Sequence, residues 1–157
     1  MVKILFLTEV GKKLGLGHFS RCASLADGFN YYKHSVDIIV RGLSQNMNPF
    51  KGYNVSMADW FDVDYLNQIL GQYSIVVIDS YIAEMWLLEY IAENSAFPVF
   101  IIDSQLRYFP RGAILFPSVY ASEYKNLRNS EFKLIAGRDY LLFGSKMWNL
   151  PQYVVKD

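Results

Sequence analysis

Residues 2–26, VKILFLTEVGKKLGLGHFSRCASLA, contain the segment that decides the fold. Residues 2–7 are almost all apolar and rich in large or β-branched side chains, which is typical of a strand covered on both faces. From His18 to residue 33, apolar residues that include Phe19 and Cys22 recur at three- and four-residue spacing, and this spacing predicts a helix with one buried face. The segment therefore predicts the first strand–helix unit of an α/β fold.

The same alternation continues along the chain. Further apolar runs occupy residues 36–40, 75–78, 99–102 and 113–116, and helical patterns occupy residues 64–72 and 82–94. Apolar strands that alternate with helices predict right-handed crossovers and a Rossmann-like, doubly wound parallel sheet, with residues 2–7 in a central strand. The segment 42–61 is predicted to form loops, with one more strand near residues 53–57.

Composition excludes several classes of protein. The chain has 157 residues, of which 52% are hydrophobic, so it can bury a core and is not disordered. Fifteen basic residues balance fifteen acidic ones, which argues against a nucleic-acid partner. No apolar run approaches the roughly 20 residues of a membrane span, and the N-terminal run is too short for a signal peptide, so we expect a cytoplasmic chain.

Few metal-ligating residues are present. The single cysteine, Cys22, excludes an internal disulfide and a multi-cysteine zinc site, and the two histidines, His18 and His34, are distant in sequence. We therefore predict no metal and no cofactor. Cys22 lies on the inward-packing side of its helix, where a small core residue is expected.

The change in composition along the chain predicts the domain organisation. Residues 1–148 are predicted to form one Rossmann-like lobe, and residues 149–157, which include Pro151, resemble a linker toward a second lobe that this sequence does not contain. An ordinary tail fits the composition equally well.

The glycine-containing segment after the first strand is the sharpest candidate for a ligand site. Gly15 and Gly17 allow a tight turn and close approach of a ligand, and the dipole of the following helix disfavours an imidazolium, so His18 is expected to accept a proton. Arg21, one turn later, could hold a phosphate or a carboxylate, or fix the loop. Ser20 stands where the dinucleotide-binding fingerprint requires glycine. On spacing alone, a helix cap or a surface histidine is an equally good interpretation of His18.

Acidic residues end three of the apolar runs. Glu9, Asp79 and Asp103 are expected at one edge of a parallel sheet, where carboxylates could orient a histidine, bind sugar hydroxyls or cap helices. Capping a helix or bracing a loop is the more frequent role for an aspartate that precedes a helix or turn. Tyr81 is expected to overhang the same crevice, where an aromatic hydroxyl can pack against a sugar and donate a hydrogen bond.

Residues 15–26, GLGHFSRCASLA, resemble the G-x-G-H-x-x-R-x-x-x-L-A signature of the UDP-sugar hydrolases of pseudaminic acid biosynthesis and of related spore-coat polysaccharide proteins. These proteins are similar to the N-acetylglucosaminyltransferase of peptidoglycan synthesis, which has two Rossmann-like lobes in the GT-B arrangement. The resemblance continues at residues 76–81 (VVIDSY) and 100–103 (FIID), and more faintly at residues 137–142 (GRDYLL).

This resemblance implies the N-terminal lobe of a GT-B protein that hydrolyses a UDP-linked diacetamido-trideoxy sugar to UDP and the free sugar. The histidine that the family uses to activate water falls on His18, and its active-site tyrosine falls on Tyr81. The remaining expected substrate-binding residues are Gly15, Gly17, Arg21, Asp79 and Asp103.

Departures from the family pattern leave more than one function open. Ser104 stands where the family often has a second aspartate, and Ile82 stands where it favours glycine. One alternative is a GT-B glycosyltransferase lobe, and another is a non-catalytic binding or assembly module of the same fold. Because the nucleotide is expected to bind mainly to a second lobe, or to a partner chain that supplies it, we expect residues 1–157 alone to bind UDP weakly and to be inactive.

Overall fold

A computed structural model of the protein describes residues 1–11, 17–42, 52–102, 111–124 and 132–149. The strands are β1 (Lys3–Glu9), β2 (Ser35–Arg41), β3 (Asn54–Met57), β4 (Ile75–Asp79), β5 (Pro98–Ile101), β6 (Gly112–Phe116) and β7 (Phe132–Ala136). The α-helices are α1 (Gly17–Tyr31), α2 (Val63–Ile69) and α3 (Met85–Asn94). Short 3-10 helices cover Leu70–Gln72, Val119–Tyr124, Arg138–Tyr140 and Ser145–Met147.

All seven strands are parallel and form one sheet in the order β3-β2-β1-β4-β5-β6-β7. This confirms the predicted Rossmann-like, doubly wound α/β sheet. β1 lies between β2 and β4, in the interior of the sheet and next to its middle strand. The chain moves outward in one direction from β1 to β3 and in the other from β4 to β7, so the strand order reverses between β1 and β4. Ligands of such sheets bind outside the carboxyl ends of the strands at this reversal.

The two faces of the sheet carry separate apolar cores, because successive side chains of a strand point to opposite faces. On one face Phe6 and Val77 pack with Phe19 and Cys22 of α1. On the other face Leu5, Leu7 and Ile78 pack with residues of α2 and α3. Cys22 is fully buried, which confirms it as a core residue, and this burial raises the pKa of its thiol well above the usual value.

The boundaries of two predicted helices and the number of strands differ from the prediction. α1 ends at Tyr31 rather than at residue 33, because Lys33 adopts a left-handed conformation with a φ of 63°. α3 begins at Met85, three residues after the predicted start, because the loop that follows β4 is held by hydrogen bonds to Glu9 rather than by helical ones. β7 was not predicted, since Lys133 interrupts its short apolar pattern. In the part of the chain that the structure describes, no helix has the length and apolar character needed to cross a membrane.

A strained glycine at the start of β6 gives a test of the sheet. Gly112 has a φ of 99°, and a β-carbon there would overlap the carbonyl oxygen of Pro98 in the neighbouring strand. We expect Gly112→Ala to lower the free energy of unfolding by more than about 1 kcal/mol, measured by urea denaturation. Gly28→Ala is the matched control, because its β-carbon meets nothing within 4 Å; it should stabilise α1 by about 0.5–1 kcal/mol. Equal effects of the two changes would contradict the described geometry of β6.

Candidate active site

The candidate site lies at the carboxyl ends of β1 and β4, where the strand order reverses. Thr8 in β1 pairs with Asp79 in β4, so the two residues lie side by side at the end of the sheet. Asp79 is two residues beyond Val77, which packs in the α1 core, and its side chain therefore points to the same face. The first turns of α1 cover this position, and they bring His18 and Arg21 to Asp79.

Asp79 is a buried carboxylate with partners on both oxygens. Only 1% of its surface is exposed. Arg21 donates from Nε to Oδ2 at 2.8 Å and from Nη2 to Oδ1 at 2.9 Å, which is a bidentate pair. The Nδ1 atom of His18 also contacts Oδ1. A buried carboxylate is tolerated when charged and hydrogen-bonding partners compensate its lost hydration, and this pairing supplies both.

The contact with Asp79 determines which nitrogen of His18 can act as an acceptor. In the neutral ring, a proton on Nδ1 donates to the carboxylate and leaves the lone pair on Nε2. Nη2 of Arg21 lies 3.0 Å from Nδ1, but both groups converge on Oδ1, and an Nδ1 that carries the proton has no lone pair to accept a second bond. Nε2 is buried and has no hydrogen-bond partner among the described residues. In its neutral form, the imidazole is therefore oriented by Asp79 and presents Nε2 as an unused acceptor.

Tyr81 forms one wall of the site. Its ring packs edge-to-face against the His18 ring, with centroids 4.0 Å apart and an interplanar angle of 78°. The guanidinium carbon of Arg21 lies 5.8 Å from the centre of the Tyr81 ring. With 41% of its surface exposed, Tyr81 contacts both the buried cluster and solvent.

Glu9 is a second buried carboxylate at this edge, 1% exposed. Its Oε1 accepts hydrogen bonds from Ser80 Oγ at 2.8 Å and from the backbone N–H groups of Tyr81 and Ile82 at 2.9 and 3.4 Å. Burial raises the pKa of Glu9 above its ordinary value of 4.5, although the hydrogen bonds from Ser80 and Ile82 oppose the shift. The sequence placed Glu9 at this edge, but it did not show that the carboxylate holds the loop after β4.

Trp60 is a site neighbour that sequence reasoning missed. Its side chain is fully buried, and its indole N–H donates to the carbonyl of Thr8 at 2.8 Å, which ties the segment before α2 to the end of β1. No local motif marks this tryptophan, because the contact joins residues far apart in sequence.

A groove of about 430 Å³ opens at the same edge of the sheet, beyond β2 and β3. Arg41 ends β2 and pairs with Asp59 at 2.6 Å inside it. The described residues that line the groove are Val40, Arg41, Gly42, Met57, Ala58 and Asp59. None of them belongs to the cluster around His18, so the groove is a neighbouring feature of the candidate site and was not predicted.

The structure brings together four of the predicted site residues: His18, Arg21, Asp79 and Tyr81. Gly17 begins α1, and nothing lies within 4 Å of the position that a β-carbon would take there. Gly15 and Asp103 lie outside the described residues. The capping role considered for Asp79 is wrong, because the N-cap of α3 is Glu84 and no side chain caps that helix.

The second histidine lies away from this cluster. His34 precedes β2 at the amino end of the sheet, where its Nδ1 accepts from the backbone N–H of Val2 at 3.4 Å. Among the described residues, no group of three or more His, Cys, Asp and Glu side chains is arranged to hold a metal ion.

No protein-family model matches this chain, and no curated protein matches it either.

The raised pKa of Glu9 predicts a pH-dependent effect of replacing it. Between pH 4.5 and the pKa in the folded state, the folded protein binds more protons at Glu9 than the unfolded chain does, so stability falls as pH rises through this window. Glutamine at position 9 cannot ionise, so the stability of the Glu9→Gln variant does not fall with pH for this reason. We therefore expect the stability of the variant, minus that of the wild type, to increase as pH rises from about 4 to about 7.

Urea denaturation of both proteins at several pH values measures this difference. Glu89→Gln on the exposed side of α3 controls for the loss of one negative charge. A stability difference between Glu9→Gln and wild type that is flat, or that falls with pH, would show that the folded protein does not raise the pKa of Glu9.

Proposed function

We propose that the chain is a lobe of a nucleotide-sugar hydrolase, in which Nε2 of His18 removes a proton from the water that displaces UDP from the sugar. The observation that carries the proposal is the buried Nε2, without a partner in the described parts of the chain, on an imidazole that Asp79 orients at the reversal point of the sheet. The resemblance of residues 15–26 to the UDP-sugar hydrolases of pseudaminic acid biosynthesis supports a UDP-linked diacetamido-trideoxy sugar as the substrate.

The cluster has the arrangement that general-base catalysis requires. Nε2 accepts the proton of water, and Asp79 stabilises the imidazolium that forms because it accepts the hydrogen bond from Nδ1–H. The bidentate contact with Arg21 holds the carboxylate in place and compensates its charge before the proton moves. The oxygen of this water forms a bond to the anomeric carbon of the sugar, the bond from that carbon to UDP breaks, and its electron pair leaves with UDP.

The diphosphate of the substrate needs further donors. Within the described part of this cluster Arg21 is the only cation, and it is already engaged with Asp79. The carboxylates of Asp79 and Glu9 offer no hydrogen-bond donor to a phosphate. We therefore place the nucleotide mainly on a second lobe, from the same polypeptide or a partner chain, with the sugar toward His18.

A glycosyltransferase is the second candidate, since the same base could deprotonate the hydroxyl of an acceptor. The loop after β4 and the start of α3 favour an organic acceptor because they expose Tyr81, Ile82, Met85 and Trp86 beside the site, with exposed fractions of 36% to 52%. Aromatic and aliphatic side chains of this kind can cover the apolar faces of a sugar or of its carrier.

Replacing His18 tests the base. With the nucleotide-binding lobe present, we expect His18→Gln to lower kcat for UDP release by about 10²–10⁴-fold, because glutamine cannot take the proton. Asp79→Asn should also lower kcat, since it weakens the orientation of the ring and the stabilisation of its charged form. UDP release from the UDP-linked diacetamido-trideoxy sugar is measured with and without added acceptor sugars, next to the melting temperature of each variant.

His34→Gln is the matched control, because it changes the other histidine at the opposite edge of the sheet and should leave kcat unchanged. Near-normal kcat in a folded His18→Gln protein would end the assignment of His18 as the base. UDP release that requires an acceptor would favour the glycosyltransferase, and wild-type protein without turnover or binding of UDP-sugars would favour a non-catalytic module.

A further inference from the structure

Glu9 organises the loop between β4 and α3 through a single carboxylate oxygen. Ser80 Oγ and the N–H groups of Tyr81 and Ile82 all donate to Oε1. Ser80 Oγ in turn accepts from the N–H of Ala83 at 2.9 Å. Three consecutive residues therefore bind one oxygen of a residue that lies 71 positions before Ser80 in the chain, and Ala83 is joined to it through Ser80.

This loop carries the residue that contacts the imidazole. Tyr81 donates its backbone N–H to Glu9, and its ring packs against His18 with centroids 4.0 Å apart. The direction of the Tyr81 side chain follows from the backbone conformation that the hydrogen bond holds. Glu9 can thus act on His18 through Tyr81 without contacting the imidazole.

The burial of Glu9 has an energetic cost that its hydrogen bonds to this loop must offset. Burying a carboxylate is costly unless both of its oxygens are satisfied. Oε2 of Glu9 is buried and has no hydrogen-bond partner in the described ranges. The hydrogen bonds that offset this cost are all accepted by Oε1 and all come from the loop that carries Tyr81, so they link Glu9 to the geometry of the site.

We propose that Glu9 is a positioning residue of the His18 site, which holds residues 80–83 so that the Tyr81 ring lies against the imidazole. Its importance for turnover rests on the proposed function, whereas its effect on the geometry does not. The geometric part can therefore be measured without any substrate.

Imidazole NMR signals report the contact directly, because the ring current of Tyr81 shifts the ring protons of His18. The sequence has only two histidines, so His34→Gln assigns both sets of signals. Tyr81→Leu supplies the His18 shift without the aromatic neighbour. We expect Glu9→Ala to move the His18 signals toward that value and to leave those of His34 in place.

Glu9→Gln separates the hydrogen bond from the charge. Its amide oxygen can accept from the same three donors, so the His18 signals should stay near their wild-type positions. The proposal is overturned if Glu9→Ala leaves the His18 signals unchanged, if Glu9→Gln moves them as far as Glu9→Ala does, or if Tyr81→Leu does not move them.

Ser80→Ala replaces Glu9→Ala in this test if the latter does not fold. It removes one donor to Glu9 and the acceptor for the N–H of Ala83, so the His18 signals should move part of the way toward their Tyr81→Leu positions. Unchanged signals would again overturn the proposal.

Turnover in the presence of the nucleotide-binding lobe forms the second arm of the experiment. A misplaced active-site group can cost up to about 10²-fold in rate, so we expect Glu9→Ala to lower kcat more than it raises KM, and Glu9→Gln to keep most of kcat. Normal kcat in a Glu9→Ala protein whose His18 signals have moved would overturn the role in turnover. If the signals move as expected and wild-type protein releases no UDP, the proposed function fails and the positioning by Glu9 stands.

Discussion

The parallel pairing of β1 with β4 is the constraint on which the site depends. Its register sets Asp79 beside Thr8 and turns the carboxylate toward α1. A slip of one residue would turn that carboxylate to the opposite face, away from its partners. Because a buried carboxylate without partners is strongly destabilising, the register of β4 and the placement of α1 are coupled: His18 and Arg21 must cover Asp79. The pairing of the strands therefore determines the geometry of the site.

Much of the framework follows from the sequence because parallel strands buried on both faces have a simple signature. The apolar runs of β1, β2, β4, β5 and β6 are short, with Lys3 and Asp37 as their only charged interruptions, and the sheet contains them with ends shifted by at most two residues. Parallel topology then requires the carboxyl ends of β1 and β4 to meet at one edge, so Glu9 and Asp79 were expected near the start of α1. β7 was not predicted because it is a short edge strand in which Lys133 interrupts the apolar pattern.

The side-chain partnerships could not be predicted in the same way. Whether Arg21 binds a phosphate or Asp79 depends on the rotation of α1 over the sheet, which spacing along the helix does not determine. Trp60 and Thr8 are joined by a hydrogen bond across 52 residues, and Glu9 and Ser80 by one across 71. Such contacts follow from the tertiary arrangement, so a capping role for Asp79 was the more frequent outcome on local grounds and was still wrong.

Cys22 can report transient separation of α1 from the sheet. It is the only cysteine in the sequence, it lies one turn beyond His18 on α1, and it is fully buried against the sheet. Thiol reagents attack the thiolate, which burial disfavours here, so modification has to wait until α1 separates from the strands beneath it. The rate of labelling at this sulfur therefore reports how often α1, which holds His18 and Arg21, separates from the sheet. A ligand that stabilises the contact between α1 and Asp79 would slow the labelling.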